Sequence, residues 1–275
     1  MYTKVETAAH GKPVTLTRLA EMKRSGEKIA CLTAYDASFA ALVDAAGVDV
    51  VLVGDTLGMV VQGHDTTVPV TVDDMIYHCR MVARGLSRAL LMADMPFLSY
   101  ASPALALENA GRLMREGGAA MVKLEGNANQ AEVVRHLAAN GVPVCAHLGL
   151  RPQSVHKLGG FKVQGKTDAA ARQIIGDALA LEAAGADIVL LECVPSALGR
   201  EIAERVAVPV IGIGAGPDAD GQILVLYDML DITPGHRPRF AKNFMGGAES
   251  PRAAIEAYVQ AVRGGDYPAP EHCFD

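Results

Sequence analysis

The chain has 275 residues, half of them apolar and a fifth charged, which is the profile of a globular protein able to bury roughly three quarters of its unfolded surface. A net charge of −6 leaves no basic footprint, so nucleic acid is excluded as the expected partner. Tryptophan is absent and aromatics are few, so the core must be built from Val, Ile, Leu, Ala and Met.

In chain order, a helix is predicted over 16–25, then a strand over 29–35 and a helix over 37–46, with Asp36 as its cap. Strands at 49–54, 89–94, 119–124, 142–147, 187–192, 208–213 and 223–227 follow. Helices at 73–85, 103–116, 129–139, 168–184 and 196–206 fall between them, and a last helix covers 251–263. The helix at 168–184 has Thr167 or Asp168 as its cap and Ala171, Ile174, Ile175 and Ala178 on one face. One pattern recurs: an Ala-rich helix ends in Gly, and a short apolar strand closed by a polar group comes next. Ala46-Gly47 to Asp55 and Ala184-Gly185 to Glu192 show it best, with weaker copies at 118–125 and 141–147. Each Gly suits the left-handed residue that ends a helix, and each apolar run reads as a parallel strand buried on both faces.

Eight strands alternating with helices predict an α/β fold of the (β/α)₈ TIM-barrel type. It is expected to form a single domain over 1–275, with an N-terminal and a C-terminal helix added to the barrel. An open doubly wound sheet would call for a glycine-rich turn after the first strand, and Thr33-Ala34-Tyr35-Asp36 is not one. Three connections, 55–72, 148–167 and 228–243, are long, and all follow strand C-termini, which marks that rim as the functional face.

The strand ends on that rim carry Asp55, Asp94, Lys123, Glu125, His147 and Glu192. Lys123 and Glu125 are two apart and point to the same side of their strand, where the barrel mouth is the affordable location for charge. Asp55 and Asp94 close neighbouring strands, so their carboxylates repel unless a cation intervenes, and oxygen ligands suit Mg²⁺. Each Asp is also a possible cap for the helix after it. Glu192, across the barrel, is placed to remove a proton from the carbon beside a carbonyl, or alternatively to pair with Lys123. His147 either holds a substrate oxygen or orients a carboxylate. Cys193 follows Glu192 and should face the helices as core. The run Ile213-Gly214-Ala215-Gly216 either binds phosphate through its N–H groups or admits a close backbone approach. Lys157, Lys162 and Lys166 either meet an anionic ligand or are solvated.

The five cysteines, Cys31, Cys79, Cys145, Cys193 and Cys273, have neither metal-ligand nor redox-pair spacing, which fits a reduced compartment. Met1 to Glu6 lacks a signal-like apolar stretch, and no uncharged apolar run is long enough to span a membrane, so a cytoplasmic location is expected.

Taken together, the segments Val53-Gly54-Asp55-Thr56-Leu57-Gly58-Met59, Val61-Gln62-Gly63-His64-Asp65, Ala93-Asp94-Met95-Pro96-Phe97 and Val122-Lys123-Leu124-Glu125-Gly126 resemble the ketopantoate hydroxymethyltransferase family. So do His147-Leu148-Gly149-Leu150, Lys162-Val163-Gln164-Gly165, Leu191-Glu192-Cys193-Val194-Pro195, 211–216 and Phe240-Ala241-Lys242-Asn243-Phe244, in order from about Thr33 onward. The resemblance implies a Mg²⁺-dependent barrel enzyme of pantothenate biosynthesis that moves a one-carbon unit from 5,10-methylenetetrahydrofolate to 3-methyl-2-oxobutanoate. It implies that Asp55 and Asp94 hold Mg²⁺, Glu125 supports the metal through water, Thr56, Lys123 and His147 bind the substrate, and Glu192 is the base. Thr56 stands where the family more often has Ser, and the hydroxyl is kept. The resemblance also implies a homo-oligomer, a decamer. Two rivals are a carbon–carbon lyase of the phosphoenolpyruvate mutase and isocitrate lyase superfamily, and a non-catalytic barrel that binds a keto acid. Such lyases place a reactive cysteine on a mobile loop, and neither 55–72 nor 148–167 contains one.

Overall fold

A computed structural model describes residues 11–233, 235 and 237–275; the N-terminal residues read above for a leader lie outside it. Eight strands, β1 (Ile29–Thr33), β2 (Val50–Val53), β3 (Leu90–Asp94), β4 (Met121–Glu125), β5 (Val144–Gly149), β6 (Ile188–Glu192), β7 (Val210–Ile213) and β8 (Gly221–Leu224), pair in parallel and in sequence order. The barrel closes through β1 and β8, where Ile29 stands opposite Gly221 and Leu32 opposite Leu224. Nearly every strand residue is buried, because one face of each strand fills the barrel and the other meets the helices.

The helices are α1 (Leu16–Ser25), α2 (Ala37–Ala45), α3 (Leu57–Val60), α4 (Val72–Gly85), α5 (Pro103–Arg115), α6 (Ala131–Ala139), α7 (Val155–Leu158), α8 (Asp168–Ala183), α9 (Ser196–Arg205), α10 (Leu226–Met229) and α11 (Pro251–Gly264). Their starts follow local chemistry. Asp36 accepts from the N–H groups of Ser38 and Phe39, and Thr167, not Asp168, caps α8. Along α8, Ile175 and Ala178 are buried while Ala171 and Ile174 are partly covered. The recurring glycines do what their positions require: Gly47 and Gly185 have φ of 90° and 106° and turn the chain from helix into strand. The C-terminal helix braces the barrel closure. The Tyr258 hydroxyl of α11 reaches the carbonyls of Cys31 and Gln222 at 2.8 and 2.9 Å, across the β1–β8 seam.

Two expectations need correction. The last strand begins at Gly221 rather than 223 and ends at Leu224, because residues 226–229 turn into α10. Gly221 can pair there only without a side chain, since a Cβ would lie 2.5 Å from the Ile29 carbonyl oxygen. The rim connections are also less irregular than their sequences suggest. α3 lies within 55–72, and 148–167 contains both a 3₁₀ turn (Pro152–Ser154) and α7.

Candidate active site

The C-terminal ends of the strands surround a cavity of about 150 Å³. Asp55, Thr56, Asp94, Lys123, Glu125, His147 and Glu192 all line it, and Met59, Phe161 and Phe240 are among its apolar walls. The positions follow from register. Asp94 stands opposite Lys123, Glu125 opposite His147, and β6 places Glu192 beside Ile213 on β7. Asp55 lies two residues beyond the end of β2, where its backbone N–H donates to Asp94 Oδ2 at 3.0 Å. Both carboxylates line the cavity, near enough for the Asp94 charge to raise the Asp55 pKa.

Lys123 is buried with its Nζ paired to Asp94 Oδ1 and 3.3 Å from His147 Nδ1. Burial alone would lower its pKa, but the charges of Asp94, Glu125 and Asp55 outweigh that and raise it, so it stays an ammonium. Pairing of Lys123 with Glu192, the structural alternative for that glutamate, does not form. Glu192 instead approaches His147, whose Nε2 lies 3.2 Å from Oε2 but off hydrogen-bond angle. Burial, with the nearby Lys123 charge, holds the His147 pKa well below its usual value, so the imidazole is neutral. Because the Lys123 ammonium can only donate, Nδ1 accepts and Nε2 carries the proton that faces Glu192.

Three of the carboxylates, Asp55, Glu125 and Glu192, are shifted upward. Burial, reinforced by the Asp94 charge and opposed by Lys123, raises Asp55 to about 7. Burial also raises Glu192 to about 7 against the pull of Lys123, and Glu125 is raised well above the usual range by burial and by Asp55. Three groups that resist ionisation around one fixed cation form the environment that a further cation relieves. Asp94 Oδ1 is buried with the Lys123 ammonium as its partner, and Asp55 Oδ1 receives no donor among the described residues. These oxygens fit a hard divalent ion. Among the described residues no group of three His, Cys, Asp or Glu converges into a complete cage. Glu125 accepts from the Gln153 backbone N–H at 3.1 Å and lies 3.7 Å from His147 Nδ1. Water or substrate oxygens would have to complete the coordination of Asp55 and Asp94.

Sequence reasoning missed Gln153. It is buried in the turn after β5, off the cavity wall, and its side-chain amide donates to Asp55 Oδ2 at 2.7 Å and to the Met95 carbonyl at 2.9 Å. The Tyr100 hydroxyl donates to its amide oxygen. A loop glutamine reads as solvated, and its only signal is its place at the start of the long connection after β5. Other readings resolve as packing. Cys193 is buried and off the cavity wall. A Cβ on Gly214 would lie 2.9 Å from the Phe274 ring and one on Gly216 2.7 Å from Ser196, so 214–216 serves a close backbone approach. Lys157, Lys162 and Lys166 are exposed and none lines the cavity.

The family model described as ketopantoate hydroxymethyltransferase matches residues 13–270. A 3-methyl-2-oxobutanoate hydroxymethyltransferase from Alkalilimnicola ehrlichii is 63% identical over 96% of this chain and 95% of its own. One from Halorhodospira halophila is 59% identical over 97% of each. Among solved structures, 2,3-dimethylmalate lyase, a member of the phosphoenolpyruvate mutase and isocitrate lyase superfamily, matches with a TM-score of 0.56 and 17% identity over 76% of this chain and 80% of its own. Oxaloacetate acetylhydrolase with 3,3-difluorooxalacetate matches with a TM-score of 0.59 and 14% identity over 94% of this chain and all of its own. These two share the barrel architecture alone. The family match and the extent of the close relatives agree: this chain belongs to the ketopantoate hydroxymethyltransferase family.

Proposed function

We propose that this enzyme transfers a hydroxymethyl unit from 5,10-methylenetetrahydrofolate to 3-methyl-2-oxobutanoate, with Mg²⁺ at the barrel mouth, giving 2-dehydropantoate. The observation that carries this reading is the convergence of Asp55 and Asp94 from adjacent strands on a buried cavity that Glu192 enters from the far side. Asp55 and Asp94 would hold the Mg²⁺, and Glu125 would steady it through water. Bound beside the keto acid, Mg²⁺ would stabilise the negative charge that develops on substrate oxygen.

Lys123 and the Thr56 hydroxyl would bind the substrate carboxylate, the first as a buried permanent cation and the second as a donor at the start of α3. Glu192 would take the proton from C3, and its pKa of about 7 leaves it a usable base near neutrality. The neutral His147 would orient Glu192 or the substrate with its Nε2–H. C3 then bonds to the one-carbon unit, water supplies the hydroxyl oxygen, and tetrahydrofolate leaves. Apolar Met59, Phe161 and Phe240 line the mouth, and their side chains would disfavour water beside the reacting carbon.

Incubating the enzyme with Mg²⁺ and 3-methyl-2-oxobutanoate in D₂O, while following the C3 proton by NMR, tests the reading. Metal-dependent exchange, then 2-dehydropantoate once the folate and formaldehyde are added, supports it. Folded protein that does neither would reject it.

A further inference from the structure

Gln153 ties its backbone N–H and both ends of its side-chain amide to residues at the strand ends. Its backbone N–H donates to Glu125 Oε2, its side-chain nitrogen donates to Asp55 Oδ2 and to the Met95 carbonyl, and its side-chain oxygen accepts from Tyr100. It thereby touches the ends of three successive strands, β2, β3 and β4, from the turn that follows β5. The direction of the amide is fixed by chemistry. A backbone carbonyl only accepts, so the atom 2.9 Å from Met95 O must be nitrogen, and the same nitrogen reaches Asp55. A reversed amide would set oxygen against two acceptors and leave the Tyr100 hydroxyl facing a donor. At 4% exposure, no bulk water competes for these bonds.

We propose that Gln153 is the positioning residue for Asp55: its amide holds Oδ2 so that Oδ1 is the oxygen offered to a divalent cation. The proposal rests on the reading of Asp55 as a metal ligand. The choice of side chain is specific. Glutamate would set one more negative charge against Asp55 and supply no donor at neutral pH. Lysine would install a cation that competes with the metal. Asparagine lacks one methylene and cannot reach both Asp55 and Met95 from the same backbone. A neutral amide holds the carboxylate while leaving its charge for the ion, which is the part that outer partners play around metal ligands. Pro152, the preceding residue, lines the cavity. The connection after β5 is therefore tied to the Asp55 carboxylate through Gln153.

The test is a titration with Mn²⁺, followed by the EPR signal of the free ion, on the full-length enzyme and on Gln153→Met, Gln153→Asn and Asp55→Asn, each checked for folding by thermal unfolding. Gln153→Met, which keeps length and volume without hydrogen bonds, should weaken Mn²⁺ about 10- to 100-fold. Substrate C3 exchange should be largely restored at saturating metal, so the defect appears in the metal requirement and not in the maximal rate. A merely structural role would lower the unfolding midpoint and leave the metal constant of the folded fraction unchanged. If Gln153→Met does not fold, Gln153→Asn decides by the same readout, with about tenfold weakening expected. Folded Gln153 variants that bind Mn²⁺ within twofold of the parent, beside an Asp55→Asn that has lost the ion, would overturn the proposal and leave the metal reading standing. An Asp55→Asn variant that binds like the parent would remove the metal reading, and the proposal with it.

Discussion

The two ends of the barrel use the same residue type in opposite ways. At the end where strands begin, Asp44 is buried but accepts from the Ser87 N–H and hydroxyl at 3.0 and 2.6 Å, the Arg88 N–H at 3.0 Å and the Ala89 N–H at 2.7 Å. Burial pushes its pKa up, yet the bonds from Ser87, Ala89 and Arg88 prevail and lower it. Asp49 lies there too, between Arg88 at 3.2 Å and Arg263 at 3.4 Å. At the other end, Asp55, Glu125 and Glu192 are raised and the four carboxylates share one lysine and one neutral histidine. Full partnering makes an aspartate a fastening, whereas incomplete partnering in the same burial makes it a site awaiting charge. Around a barrel, stability belongs to one rim and chemistry to the other.

Three changes should break or sharpen that contrast. The largest effect is on the chemical step. Glu192→Gln should keep Mn²⁺ binding while C3 exchange in D₂O falls by about 10²- to 10⁴-fold, the usual range for a lost general base. Normal exchange would mean that Glu192 is not the base. Next in size is a pair of substitutions with opposite signs. Asp44→Ala leaves several part-buried donors without their acceptor and should cost about 2 kcal/mol in urea unfolding, with the metal constant unchanged. Asp55→Asn should instead make the metal-free protein more stable at pH 8, by about 1 kcal/mol, while abolishing metal binding. Two losses of equal sign would erase the distinction between the rims.

The smallest effect is in the pH dependence of stability without metal. Asp55 and Glu192 are raised to about 7, so above their unfolded values near 4 the folded state keeps protons that the unfolded chain has released. Their contribution therefore falls as pH rises and is lost by passage through 7. The depressed His147 acts with the opposite sign, but its contribution is complete above the unfolded histidine value near 6.5. Between pH 6.5 and 8 the metal-free protein should accordingly lose about 1 kcal/mol, read from urea midpoints, and Glu192→Gln should flatten that slope. Added Mg²⁺ should stabilise more at pH 8 than at pH 6.5.

What the sequence discloses depends on whether the signal is local. The barrel was legible because apolar runs and helix-ending glycines such as Gly47 and Gly185 are local and repeat. Asp36 was legible as a cap for the same reason. The convergence of Asp55, Asp94, Lys123, Glu125, His147 and Glu192 followed from alternation along strands once the barrel was assumed. β8 was misplaced because its first residue, Gly221, is chosen by the Ile29 backbone across the seam rather than by its own hydrophobicity. Gln153 was invisible for a related reason. Its partners lie 28 to 98 residues away in sequence, and nothing in Arg151-Pro152-Gln153-Ser154 distinguishes a buried amide from a solvated one. The packing role of 214–216 likewise depends on Phe240 and Phe274, which only the folded chain brings near.

The proposed reaction depends on Asp55 and Asp94 sharing one divalent cation at the barrel mouth. Crystals grown with Mn²⁺ and 3-methyl-2-oxobutanoate test it by anomalous scattering. One peak within coordination distance of a carboxylate oxygen from each aspartate is the predicted result. A peak held by other side chains, or none at saturating Mn²⁺ with the keto acid in place, would contradict it.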